Sequence, residues 1–208
     1  MDLNNFKTKH MTPNLQIELR RFISSNVVSK LNKFYFENDA LLIKGIDVSI
    51  GTVLMGLYNK AEESGFYKNV VSLIADDSTF YGEVDFTSGR ILSVDDCYRI
   101  EGNELLKEIF SNKKGRISEM ISNEVGIKSE TAREILNFSA LLVVSYLKNN
   151  TQLLKSLKML LEDQKRDILN SIQPGIKIIL GFSCHETVEE KNQAMGRSVF
   201  TLFGHNFF

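Results

Sequence analysis

The stretch RISEMISNEVGIKSETAREILNFSALLVVSYLKNN, Arg116 to Asn150, decides the fold. It predicts a helix to about Glu124, a tight turn at Val125-Gly126-Ile127, and a second helix to about Lys148 with Ser129 as its cap. The turn calls for glycine, because the chain must swing between helices where a Cβ is disfavoured. Apolar Ile121, Val125 and Ile127, with small Ala132 and then Ile135, have the spacing of a helix-turn-helix. A second stretch reads alike when offset by about 89 residues: VVSKLNKFYFENDALLIKGIDVSIGTVLMGLYNKA, Val27 to Ala61. Val28 lies over Ile117, Ser29 over Ser118, Leu31 over Met120, Phe36 over Val125 and Ile46 over Ile135. The apolar run Thr52 to Tyr58 lies over Leu141 to Leu147. Element order matches as well as pattern, so a duplicated helical unit is expected.

Outward from these stretches, Thr12-Pro13 suits a helix start, with threonine as cap and proline in the first turn. Leu15, Leu19, Phe22, Ile23, Val27 and Leu31 then form the stripe of one amphipathic helix. Asn38-Asp39 reads as a turn and cap before an apolar helix, Leu41 to Ala61. Gly51 and Gly56 inside it each cost about 1 kcal/mol relative to alanine, which points to close helix packing. Gly65 ends that segment, and Tyr67 to Ala75 predicts another short helix. Residues 76–102 change character, with Asp76-Asp77, Gly82, Ser88-Gly89, Asp95-Asp96 and Gly102 as punctuation. FYGEVDF and RILSV alternate enough for a small hairpin over 79–99, and an irregular connector is equally compatible. Helices resume at Asn103 and break at Lys113-Lys114-Gly115. Leu153 to Ile172 forms a further helix, stopped by Pro174-Gly175. The expected fold is all-α: duplicated multi-helical bundles joined by a short irregular or hairpin connector. The units are 1–75, the connector 76–102, a second helical unit 103–175 and an aromatic tail 176–208.

The block GNELLKEIFSNKKGRISEMISNEVGIKSETAREILNFSALLVVSYLKNN resembles the YidB-like family, a bacterial domain of unknown function (domain of unknown function 937). LLEDQKRDILNSIQPGI resembles that family's closing segment, and IGTVLMGLYNKA is similar to the upstream repeat of Bacteroidetes-type members. The likeness covers residues 12–182 and rests on hydrophobic patterns rather than chemical signatures. The chain departs from the family in having less glycine and alanine, and in carrying serine where a proline often follows the second helix. The resemblance implies repeated homeodomain-like helical bundles and no particular activity.

Composition narrows function mainly by exclusion. The 208 residues are 43% hydrophobic and 25% charged, with a formal net charge of −1 that gives no overall field for nucleic acid or an anionic membrane. Cys97 and Cys184 are too few for a disulfide framework and read as free buried thiols in a reducing compartment. The N-terminus lacks the apolar core of a secretory signal, and the longest apolar stretch, Phe138 to Leu147, covers about ten residues where a membrane span needs roughly twenty. A cytoplasmic protein is expected. Neither acidic pair lies in a calcium-loop pattern, and Cys184-His185 lacks tetrahedral ligand spacing. No nucleophile signature, phosphate loop or dinucleotide fingerprint occurs. No enzyme activity, cofactor, metal or small-molecule substrate is therefore expected.

Two features suggest partners. Phe200, Phe203, Phe207 and Phe208 crowd the last nine residues. They fit either folding back on the protein's own core or anchoring a partner. The helix-turn-helix spacing would, in a DNA-binding protein, place Lys128, Ser129, Thr131 and Arg133 at the groove and Lys113, Lys114 and Arg116 on phosphates. Glu130 and Glu134 share that helix, and Lys113 to Lys148 holds six Lys/Arg against four Glu, a weak balance for a DNA reader. The expected function is thus a non-enzymatic structural or protein-interaction protein, a homo-oligomer or part of a larger bacterial assembly. DNA binding is the alternative.

Overall fold

In the computed structural model, which describes residues 14–61, 63, 65–75, 96–154 and 156–183, Asn14 caps helix α1 (Leu15–Arg20) by accepting the Ile17 N–H at 3.1 Å. Thr12-Pro13, the expected start, lies outside these residues. The stripe from Leu15 to Leu31 is two helices rather than one. Ser24 Oγ accepts the Val27 N–H at 3.3 Å and opens α2 (Ser25–Tyr35). A serine that bonds its own backbone competes with a continuous helix, and here the local cap wins. The short α1 is held from outside: its Leu15 N–H donates to Gln164 Oε1 at 2.8 Å, and Gln16 Nε2 donates to Ser171 Oγ at 2.9 Å.

Asn38 behaves as expected: its Oδ1 accepts the Ala40 and Leu41 N–H groups at the head of α3 (Asp39–Lys60). Every residue from Val48 to Leu57 is buried. Ten consecutive buried positions exceed one face of a 3.6-residue helix, so α3 is surrounded. Gly65 adopts a positive φ of 94° before α4 (Phe66–Ala75). Residues 76–95 lie outside the described chain. The expected helix start at Asn103 is corrected: α5 runs Asp96–Phe110, taking residues 96–102 from the connector, and a 3-10 turn follows at Ser111–Lys113. Gly102, read as punctuation, is buried in α5, where a Cβ would stand 2.6 Å from the Asn137 carbonyl oxygen. The glycine marks close approach, not a break. No strand occurs among the described residues.

Next come α6 (Lys114–Val125), α7 (Ser129–Asn149), a single turn α8 (Thr151–Leu154) and α9 (Leu157–Ser171). Pro174 ends nothing further; it begins α10 (Pro174–Leu180), where its missing N–H is harmless. Glu124 Oε1 accepts the Gly175 N–H at 2.8 Å and caps that helix from α6. Ile176, Leu180 and Phe182 are buried, so the body of the protein extends beyond the expected tail boundary at 175. Asn59 Nδ2 donates to the Leu180 carbonyl at 2.7 Å, and Lys165 Nζ lies 5.1 Å from the Tyr58 ring centre and 5.6 Å from that of Phe182.

Around α3 stand α5, α6, α7 and α9, and their apolar side chains form a single cluster containing both Leu15 and Ile176. The expected units therefore do not have separate cores. Glycines set how closely the neighbours approach. A Cβ at Gly45 would meet Ile135 Cδ1 at 2.7 Å, one at Gly51 would meet Ser171 Oγ at 3.0 Å, and one at Gly56 would collide with the Phe110 ring. Of the described helices, α3 alone is long and apolar enough to cross a membrane, and 72% of its apolar window is buried against these helices.

Two stability outcomes follow from this packing. Gly102→Ala presses on backbone and should cost about 1–3 kcal/mol, whereas Gly115→Ala, with nothing within 4 Å of the new methyl, should add up to about 1 kcal/mol. Urea unfolding measures both. Asp47 pairs with Arg20 at 3.1 Å, yet its Oδ1 is buried without a hydrogen-bond partner among the described residues. Burial raises its pKa above the ordinary 3.8, and Arg20 only partly offsets this. The folded state then holds the proton more tightly than the unfolded state, so stability falls as pH rises from 3.8 through the raised value. The melting temperature of Asp47→Asn relative to wild type should climb across that range; a flat difference would contradict the burial.

Candidate functional site

Both helix-turn-helix segments turn through one left-handed residue. At the end of α2, Phe36 has φ 52° and ψ 48°, and its N–H donates to the Asn32 carbonyl at 3.0 Å. Asn32 Oδ1 accepts the Glu37 N–H at 3.0 Å, while its amide donates to Asp39 Oδ1. At the end of α6, Gly126 has φ 82° and ψ 38°. Ser122 holds this turn by donating its hydroxyl to the Ile127 carbonyl at 2.6 Å. A polar side chain in the last helical turn thus fixes each connection. Glycine enters the left-handed region freely; phenylalanine does so at a cost of about 1–2 kcal/mol.

The two turns touch. Ser129, expected as the cap of α7, is its first residue, and Lys128 at the cap position supplies no side-chain bond. Glu37 takes that role from the other turn. Its Oε1 accepts the Lys128 N–H at 2.9 Å and the Thr131 hydroxyl at 2.7 Å, and Lys128 Nζ donates to the Tyr35 carbonyl at 2.5 Å. The N-terminus of a helix carries unpaired N–H groups and positive partial charge, so a carboxylate is favourable there. Beneath the junction, Val125, Ile127 and Ile135 close over Gly45. Phe36 itself points outward and is 81% exposed, the most exposed large apolar residue among those described.

The residues predicted at a DNA surface are only partly brought together: Lys114 and Arg133 lie near enough for their like charges to interact, and the others are apart or committed elsewhere. Thr131 is fully buried on Glu37, and Lys128 is committed to the other turn. Ser129 and Arg133 are exposed. Lys113 extends toward the Ile179 carbonyl at 3.5 Å, and Arg116 is exposed. Lys114 donates to Asn103 Oδ1 at 2.5 Å; burial lowers its pKa, and the nearby Glu134 opposes that shift. Lys113 and Lys114 are separated from Lys128 and Ser129 by the length of α6, about 18 Å for its 12 residues, and Arg116 lies within the first turn of that helix. Phe200, Phe203, Phe207 and Phe208 lie outside the described residues. Among the described residues no three His, Cys, Asp or Glu side chains gather as a metal site.

Sequence reasoning missed Phe36 and Glu37. Phe36 had a detectable signal, a helix end followed closely by Asn38 as the next cap, which leaves only Phe36 and Glu37 to make the turn. Glu37 had none, because its partners are more than 90 positions away. Residues 18–150 match the family described as bacterial protein of unknown function (DUF937), a span that contains both turns. No curated protein and no solved structure matches the chain.

Glu37→Ala removes a charged acceptor from a buried hydroxyl and a helix end, and should lower stability by about 1.5–3 kcal/mol in urea unfolding. Thr131→Val should cost less. Because both act through one carboxylate oxygen, the double variant should be less destabilised than the two single losses combined; strict additivity would show that the junction is not coupled.

Proposed function

The chain belongs to the bacterial family of unknown function DUF937, and we propose that it is a non-enzymatic structural or protein-interaction protein that self-associates or joins a larger bacterial assembly. The observation that carries this reading is Phe36, an exposed aromatic held in a left-handed backbone conformation. Exposure and strain both work against the isolated chain. They become favourable in a complex, where a buried aromatic anchor contributes about 2 kcal/mol or more. Residence in the cytoplasm and partner binding by Phe200, Phe203, Phe207 and Phe208 form part of the same proposal.

The scaffold is read as two copies of one YidB-like, homeodomain-like unit. Phe36 and Gly126 lie 90 residues apart, as do the starts of α3 and α7 at Asp39 and Ser129. The sequence register of 89 is one residue short of this. Gly45 and Ile135 have the same separation and pack on one another. Ser49 and Ser139 repeat it again; both are fully buried, with hydroxyls lacking a partner among the described residues. Contact between equivalent positions supports a twofold relation between the copies, the internal analogue of an isologous dimer contact.

Multi-angle light scattering on the full chain should give a mass above the 23.7 kDa monomer. Removing residues 204–208 should lower that mass without changing the melting temperature. Unchanged mass and melting temperature would remove the tail from the reading. A wild-type monomer that cross-links to no other protein in cells would overturn the proposal.

A further inference from the structure

We draw no further inference here: the strongest candidate, the polar cleft between α1, α3 and α9 lined by Arg20, Lys44, Asp47, Asp167 and Ser171, carries nothing, because its exposed charges are of both signs, the one oxygen there without a partner among the described residues, Asp47 Oδ1, is itself buried, and nothing in the structure shows what fills it.

Discussion

The burial of α3 is the constraint on which the rest of the structure depends. A helix buried over Val48 to Leu57 has no solvent face along that length, so it needs a partner in every direction. The chain supplies α5, α6, α7 and α9 for this purpose. Surrounding one helix by four raises a spatial problem, because helix axes with ordinary side chains pack 8–10 Å apart. Gly45, Gly51 and Gly56 answer it by giving Ile135, Ser171 and Phe110 room against the α3 backbone. Their helix-propensity penalty is offset by the close packing they permit. The buried hydroxyl of Thr52 is satisfied within α3, donating to the Val48 carbonyl at 2.7 Å.

Once α3 is enclosed, the surrounding helix ends must be satisfied by whatever lies beside them. α7 and α10 both lack a side-chain cap of their own. Glu37 supplies α7 from the α2–α3 turn, and Glu124 supplies α10 from the last turn of α6. Gln164 does the same for the first N–H of α1 from α9. Each of these bonds ties a local requirement to a distant element, so helix capping here also fixes tertiary position. Surface ion pairs such as Arg21–Glu18 and Lys107–Glu104 join neighbours on one helix and add little to that fixation.

That division explains what the sequence made legible. Asn38 and Gly126 act within a few residues of themselves, and both turns were readable. The apolar length of α3 and the packing role of Gly51 and Gly56 were readable for the same reason, as composition within one segment. Where a residue's meaning depended on a remote partner, reading failed. Gly102 resembled a breaker until the Asn137 carbonyl was seen beside it. Ser129 resembled a cap until Glu37 was seen in its place. IKIIL resembled the start of a tail until Ile176 and Leu180 were found in the common core. Thr131 was the most costly case, since a polar residue assigned to a surface proved to be fully buried.

Phe36 differs from these, because nothing among the described residues around it compels its conformation to be occupied by phenylalanine. Gly126, at the α6–α7 turn, makes the same kind of left-handed turn without strain. Turn geometry therefore requires a residue that tolerates positive φ, and packing requires nothing of a side chain that is 81% exposed. The two forces that explain every other position discussed, local conformation and burial, both favour glycine at 36. What remains is an energy that the described residues do not supply. An anchor buried in a complex supplies such a term, and it must exceed the strain of about 1–2 kcal/mol to matter. The physical case for a partner at this turn is thus a difference between two left-handed turn positions, one of which the fold explains and one of which it does not.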